Sequence, residues 1–449
     1  MGNTLPIMSV SGIRGTMNET ISSYLFSVIA YLQTRNAGGG EILVGRDTRP
    51  SGEILAKAVF RGIRCAGGTP IDIGIAPTPT TCFAVGHFKA AGGIIITASH
   101  NPLPYNGYKM VHRSGQLFNG DKCEEIYRQF HAKDFPTEDE FTGWDDVPER
   151  TMDAVTPHIE AIASAVDVSV ICNAHLTVAV DSINGAAGVI FPKLLETLSV
   201  SWQGVHNTLS GDFVHNPEPR PEHLHDLAAL LKSRDSFWGG FAFDPDADRL
   251  ATMGEHGEPV SEEMTLALAL DNVLRKKKSP VVTNLSTSMV IDEIAASHGV
   301  SVVRTKIGEA NVVAGMKAHK AAIGGEGNGG VIYPAVSTVR DGLVGMALIL
   351  ERMAATGKRL TELTASWPVY PIVKEKIPLS NKPVGTVIHD LQHTFSHEKI
   401  DTQDGLKIIR DYGWVHIRPS NTEPILRCYA EAKTMEQARA LADMIIDTM

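Results

Sequence analysis

Three aspartates alternate in the stretch FAFDPDADRLATM: Asp244, Asp246 and Asp248, with Arg249 directly after the third. Alternate residues of an extended loop project to one side, so the three carboxylates converge. Convergent carboxylates make a hard-oxygen site suited to Mg²⁺. A calcium loop of the EF-hand kind competes, since Glu255 falls at its twelfth position. That loop requires glycine at its sixth position, where Arg249 stands, and the flanks read as strands rather than helices. A bare acidic surface turn leaves the apolar lead-in and the arginine unexplained.

A second group lies in IIITASHNPLPYNGYKM, residues 94–110. An apolar run that reads as a buried strand stops at Thr97, Ser99 and His100, and Pro102 and Pro104 keep it from continuing. Open α/β sheets present ligands at such carboxyl ends. Ser99 there can serve as nucleophile or phosphate carrier, and His100 can bind an anion or move a proton. A helix cap or polar turn accounts for the same pair. Lys109 brings a positive charge close behind.

Three further loops carry chemistry. In IGGEGNGGVIYP, five glycines leave Glu326 and Asn328 as the side chains with hydrogen-bonding reach. A carboxylate and an amide on bare backbone suit sugar hydroxyls, although a flexible turn is an alternative. In RPSNTEPILR, Arg418, Ser420, Asn421 and Thr422 form a tight turn closed by Pro424, and Arg427 follows. Guanidiniums, hydroxyls and turn N–H groups fit a phosphate dianion, and a capped hairpin loop is the alternative. Arg14 stands between Gly12 and Gly15 and is placed to reach the Ser99 loop or to form a structural ion pair.

The elements that must hold these loops repeat. EILVGRDTRPSGEILAKAVFRGIRCAGG is an apolar strand, a polar loop and a helix in which Ile54, Leu55, Ala58, Val59 and Ile63 recur at helical spacing. LTVAVDSINGAAGVIFPKLLETL and SPVVTNLSTSMVIDEIAASHG follow the same plan. Such alternation predicts α/β units on mostly parallel sheets, as three related domains. The C-terminal part differs: a helix over 384–395, two strands in GWVHIRPS and ILRCYAEA, and a closing helix from near Thr434 predict an α+β module. Turn-forming residues place boundaries near 146–148, 254–257 and 367–368. The expected domains are 1–147, 148–255, 256–367 and 368–449.

At 449 residues the chain is too long for one core and suggests about three or four domains of ~100–150 residues. With 43% hydrophobic and 20% charged residues it reads as an ordinary soluble globular protein. A net charge of −10 argues against general nucleic-acid binding, and an anionic substrate would need a local basic pocket. Five scattered cysteines without paired spacing suggest reduced thiols in the cytoplasm. Nothing resembles a signal peptide or a membrane span.

Together the loops resemble the α-D-phosphohexomutase family of phosphoglucomutases, phosphomannomutases and phosphoglucosamine mutases. The matching stretches are SGIRG (11–15), GRDTRPSG (45–52), TASHNP (97–102), NGYK (106–109), DPDADR (244–249), GEGNGG (325–330) and RPSNTEP (418–424), in the family's order across almost the whole chain. The resemblance implies four domains around a central cleft: three related α/β, mixed-sheet domains and a C-terminal α+β domain. These would carry, in order, a phosphoserine loop, a metal loop, a sugar-recognition loop and a phosphate-binding loop.

It further implies that Ser99 is phosphorylated in the resting enzyme, and that one Mg²⁺ is held by Asp244, Asp246, Asp248 and a phosphoserine oxygen. Glu326 and Asn328 would read the sugar. Arg418, Ser420, Asn421, Thr422 and Arg427 would grip the phosphate not being transferred. Arg14 and Lys109 are candidates for proton and charge work, Arg249 for steadying the intermediate, and His100 for supporting the phosphoserine. A hexose 1,6-bisphosphate would be intermediate and activator. The partners expected are small phosphosugars, with no nucleic acid or membrane, and the chain is a monomer or homodimer whose C-terminal domain closes on substrate.

Many bacterial members carry Ser and His after the sugar-loop glutamate, where this chain has Asn328 and Gly330. GGEGNGGVIYP with the VRDG that follows it (339–342) is closer to the archaeal-type phosphoglucosamine mutase branch. Glucosamine 6-phosphate is therefore the expected substrate, ahead of mannose and glucose phosphates. A non-catalytic sugar-phosphate sensor would lose the serine or a metal carboxylate, and both are kept. A hydrolase using Ser99 and His100 lacks a glycine-flanked nucleophile elbow.

Overall fold

The computed structural model describes residues 6–9, 12–378, 383–420 and 425–449. Four sheets follow one another along the chain. The first has seven strands, in the spatial order Ile7–Ser9, Gly12–Thr16, Tyr105–His112, Gly92–Ile96, Gly40–Arg46, Gly68–Ile75 and Arg150–Thr151. Its central four strands set a pattern. Gly40–Arg46 pairs in parallel with both Gly68–Ile75 and Gly92–Ile96, and Gly92–Ile96 pairs antiparallel with Tyr105–His112.

The second sheet repeats that pattern with Thr177–Asp181, Ser201–Val205, Gly240–Phe243 and Leu250–Met253. The third repeats it again with Val281–Asn284, Val302–Thr305, Ile323–Glu326 and Gly330–Ile332. The strand-loop-helix plan legible in the sequence is thus the start of a longer unit. Its last two strands form an antiparallel hairpin, and each hairpin loop carries one of the chemical motifs. Ser99 lies between strands Gly92–Ile96 and Tyr105–His112, the three aspartates lie between Phe243 and Leu250, and the glycine loop links Glu326 to Gly330.

The fourth sheet is antiparallel, with strands Ile372–Pro378, Ile425–Ala432, Gly413–Pro419, Leu406–Arg410 and Ile400–Asp401 in spatial order. The helices Val384–Thr394 and Met435–Ile446 complete this α+β module. Thr434 accepts a hydrogen bond from the Gln437 N–H and so caps the last helix where the sequence places its start.

Apolar packing follows the pattern with one exception. In helix Gly52–Cys65, Leu55, Ala58, Val59 and Ile63 are buried, but Ile54 is 59% exposed. Helical spacing defines a stripe without fixing its edge, and Ile54 falls beyond what the sheet covers. The second and third sheets share one apolar core reaching from Ile159 to Leu363. Helices Glu263–Lys276 and Gly342–Thr356 lie in it and are buried on nearly every side. A helix closed in from all directions loses its amphipathic stripe, which explains the unbroken apolar run GLVGMALIL at 342–350. The first and fourth sheets have cores of their own. Among the described residues no helix is long and apolar enough to cross a membrane, and the five cysteines form no disulfide.

Candidate active site

Ile94, Ile95 and Ile96 are fully buried, as a β-branched run inside a sheet demands. The strand ends, and Ser99 adopts a left-handed φ of 49°. This conformation is unfavourable for a residue with a Cβ, so its surroundings must impose it. The backbone N–H of Ser99 donates to Thr97 Oγ1 at 2.8 Å, and that hydroxyl donates to Asp47 Oδ2 at 2.6 Å. The Arg49 side chain donates to Asp47 at 3.0 Å and to the carbonyls of Ser99, Asn101 and Tyr105 at 2.7, 2.5 and 2.7 Å. A buried ion pair from the first strand-loop-helix unit thus clamps the serine loop. Arg14 joins from the opposite edge, donating to Asn101 Oδ1 at 3.0 Å.

Held this way, Ser99 Oγ donates to Asp244 Oδ2 at 3.1 Å, across 145 residues of sequence. Asp244, Asp246 and Asp248 are fully buried and bring one carboxylate oxygen each within 4.8 Å of the others. Ala247, with φ 55°, tightens the turn between them. Asp246 Oδ2 accepts from Thr78 Oγ1 and from Lys109 Nζ, both at 2.6 Å. Asp248 Oδ2 accepts from Arg340 at 2.7 Å, with Lys109 at 3.4 Å. The other oxygens, Asp246 Oδ1 and Asp248 Oδ1, are buried without a hydrogen-bond partner. Desolvated anionic oxygens are costly unless a cation meets them, so the donor set fits a hard dication.

The charges confirm how crowded the site is. Burial, then the neighbouring Asp246 and Asp248, push the Asp244 carboxyl well up. Burial also opposes ionisation of Asp246, but Lys109 and Thr78 outweigh it and hold that carboxyl low. Asp248 is likewise held low against its burial, chiefly by Arg340. Burial works against the Lys109 charge, yet Asp246 and Asp248 prevail and raise it. His100 lies with Nδ1 3.3 Å from Ser99 Oγ, and Arg249, then burial, press its pKa down to about 2. Its imidazole is therefore neutral at physiological pH. Arg249 pairs with Glu218 at 3.3 Å and donates its backbone N–H to Asp244 Oδ1 at 3.1 Å.

The glycine loop meets this centre through Arg340. Its guanidinium joins Asp248 to Glu326 and Glu309, each of the latter at 3.0 Å. Gly330 must be glycine, since a Cβ there would stand 2.3 Å from Arg340 Cδ. Glu326 also accepts from Asn284 at 2.9 Å and from the Gly308 N–H at 3.2 Å. Asn328 Oδ1, by contrast, is buried without a partner. In the fourth module, Arg427 donates to Ser420 Oγ at 3.4 Å, and burial lowers Arg418 against the opposing pull of Asp404 and Tyr429, with Arg427 adding to the fall. The expected phosphate ligands Asn421 and Thr422 lie outside the described residues.

Several residues at the centre have no role in the sequence reading: Asp47, Arg49, Thr78, Thr97, Glu218, Asn284, Glu309 and Arg340. GRDTRPSG and VRDG contain three of them and stand out as polar loops after apolar strands, which was the available signal. Thr78 gives none, because its partner Asp246 is 168 residues away.

Comparison with known proteins agrees along the whole chain. Models of the phosphoglucomutase/phosphomannomutase family match as α/β/α domain I over residues 7–137, domain II over 156–257, domain III over 261–370 and the C-terminal domain over 373–448. A phosphoglucomutase/phosphomannomutase of Thermococcus kodakarensis is 38% identical over 443 residues, 96% of either chain. A probable phosphoglucosamine mutase of Methanopyrus kandleri is 35% identical, over 97% of this chain and 96% of that one. The crystal structure of a phosphoglucomutase/phosphomannomutase family protein from Burkholderia thailandensis matches with a TM-score of 0.85 at 26% identity, over 98% of this chain and 96% of that one.

Proposed function

The chain belongs to the phosphoglucomutase/phosphomannomutase family of α-D-phosphohexomutases, and on that premise we propose that it interconverts glucosamine 6-phosphate and glucosamine 1-phosphate through a phosphoserine at Ser99. The observation that carries the mechanism is the 3.1 Å contact of Ser99 Oγ with Asp244, beside two buried carboxylate oxygens that lack partners. Asp244, Asp246 and Asp248 would hold Mg²⁺, which when bound supplies the positive charge that phosphoryl transfer needs.

The residues of the chain do the rest. Phosphorylated Ser99 presents its phosphoryl group to O1 of a bound hexose 6-phosphate. The P–O bond to Ser99 Oγ breaks as the bond to O1 forms, and the O1 proton passes to the departing Ser99 Oγ, which later yields it to the departing O6. The resulting 1,6-bisphosphate turns over within the cleft, and its 6-phosphoryl group passes back to Ser99 Oγ. Lys109, held charged by Asp246 and Asp248, and Arg14 stabilise charge at the attacking oxygen, and Arg249 steadies the intermediate. Neutral His100 supports the phosphoserine. Asn328, with its unpartnered oxygen, and Glu326 read the sugar, while Arg418, Ser420, Asn421, Thr422 and Arg427 grip the distal phosphate. A trace of hexose 1,6-bisphosphate would keep Ser99 phosphorylated.

The aminosugar preference draws support from the relative named as a probable phosphoglucosamine mutase. The one named phosphoglucomutase/phosphomannomutase favours a second reading, a mutase of glucose and mannose phosphates. Phosphorus NMR with Mg²⁺, a trace of bisphosphate and the three hexose 6-phosphates in parallel separates them. Fast conversion of the glucosamine compound alone is expected. Equal or faster turnover of mannose or glucose phosphate favours the second reading. Ser99→Ala is expected to lose its phosphate by intact mass and to fall more than about 10⁴-fold in turnover, with the fold retained. Wild-type turnover in that variant would end the phosphoserine mechanism.

A further inference from the structure

In the first and third repeats, polar residues at or just beyond the end of the opening strand support the start of the neighbouring hairpin loop. Asp47 holds Thr97, and Asn284 holds Glu326. The corresponding strand of the second repeat ends at Asp181, which has different partners. Its Oδ1 accepts from the Ile183 N–H at 2.8 Å. Its Oδ2 lies 3.1 Å from His206 Nδ1 and 3.1 Å from His215 Nε2. We propose that Asp181 Oδ2, His206 Nδ1 and His215 Nε2 bind one transition-metal dication of the Zn²⁺ class, at a site sharing no residue with the three aspartates.

The spacing fits. A tetrahedron with metal–ligand bonds of about 2.0–2.1 Å has edges of about 3.3–3.4 Å, and all three donor atoms lie within 4.8 Å of one another. The outer contacts fit as well. His206 Nε2 faces the Asp226 carboxylate at 3.0 Å, and His215 Nδ1 faces the Asn216 carbonyl at 2.8 Å. Zinc-bound histidines orient their second nitrogen in this way, toward a carboxylate or a backbone carbonyl.

Proton inventory gives an independent reason. Asp181, Asp226 and the Asn216 carbonyl are acceptors, and a neutral imidazole has a single N–H. Each of the two rings therefore has an acceptor opposite both nitrogens. Either two imidazoliums share one buried carboxylate, with ring centroids 5.5 Å apart, or one dication replaces both protons. Asp181 is 1% exposed, and a single ion placed there serves all three groups at once. Two imidazoles and one carboxylate favour Zn²⁺, Co²⁺ or Ni²⁺ over Mg²⁺.

The ion would pin the segment 206–218 to the second sheet. That segment carries Phe213, whose ring lies 4.9 Å from the Arg49 guanidinium, and Glu218, which pairs with Arg249. It therefore touches the supports of both the serine loop and the aspartate loop.

The test starts from chelator-treated protein in saturating Mg²⁺, which fills the aspartate site, and titrates Zn²⁺ and Co²⁺ separately. One Zn²⁺ per chain is expected, with imidazole scattering in X-ray absorption and the intense visible bands of four-coordinate Co²⁺. His206→Gln and His215→Gln should weaken Zn²⁺ binding by more than about 100-fold, and Asp226→Asn, at an exposed outer contact, by about tenfold. Circular dichroism confirms that each variant is folded. Should a histidine variant fail to fold, the wild-type stoichiometry and Asp226→Asn decide. Absence of Zn²⁺ uptake by the wild type, its displacement by Mg²⁺, or unchanged affinity in the folded variants overturns the proposal.

Discussion

Arg340 holds three carboxylates at once: Asp248 at 2.7 Å, and Glu309 and Glu326 at 3.0 Å. No single-point cation does this, because the planar fork offers donors in three directions. Arg340→Met would strip the guanidinium from all three acids, leaving Asp248 only the Lys109 ammonium at 3.4 Å, and is expected to cost about 3–5 kcal/mol in urea unfolding. Arg340→Lys should recover less than half of that loss. Wild-type stability in the lysine variant would show that the three carboxylates do not depend on the fork. The same residue ties Asp248, a proposed metal ligand, to the glycine loop proposed to read the sugar, so its loss should also weaken substrate binding.

At the scale of elements, one device recurs in the first and third repeats. Residues at or just beyond the end of the opening strand brace the hairpin loop that carries the chemistry. In the first repeat the brace is the Asp47–Arg49 pair, whose side chains are fully buried. Burial alone would raise the Asp47 carboxyl; Arg49 and Thr97 work against that rise. Arg49→Met would take the cation from Asp47 and release the carbonyls of Ser99, Asn101, Pro102 and Tyr105, at an expected cost of about 3–5 kcal/mol. Its kinetic signature should be a fall in kcat larger than any change in KM, since the proposed grip on the distal phosphate lies in another module. A pure KM effect would mean that the brace does not position Ser99.

Across the whole molecule, the C-terminal module meets the third repeat through buried polar contacts rather than a shared apolar core. His416 Nδ1 lies 2.7 Å from Ser286 Oγ and Nε2 lies 2.6 Å from the Asp404 carbonyl. A carbonyl only accepts, so Nε2 carries the proton and Nδ1 accepts from the serine. Beside it, Lys407 bonds the Leu285 carbonyl and stacks 4.2 Å from the Trp414 ring, while Glu431 accepts from the Met289 N–H at 2.7 Å. Burial lowers the His416 pKa to about 4, against the support of the Asp404 carbonyl and with Lys407 adding to the fall. A depressed histidine contributes stability above its unfolded pKa of about 6.5, and loses it as pH falls toward 4. The loss should reach about 3 kcal/mol, and it should loosen the docking of this module. Urea unfolding at pH 7 and pH 4.5 is expected to show that slope in the wild type and to show it reduced in His416→Gln. An unchanged slope in the variant would place the titration elsewhere.

Whatever is encoded within a short span could be read from the residues alone. The three strand-loop-helix units, the separate α+β module, the alternating aspartates and the serine at the end of an isoleucine strand were legible because backbone periodicity and turn chemistry are local. Tertiary structure alone decided which groups compensate one another. Thr78 and Lys109 reach Asp246 across 168 and 137 residues, and no periodicity marks such partners. Arg340 gave no sign in the sequence of gathering three acids. Nor did the pattern show that the second and third repeats share one core, or that Ile54 sits outside its stripe. The physical reason is the same in each case: a buried charge or apolar edge is satisfied by whatever the fold brings against it, and that neighbour lies far away in the chain.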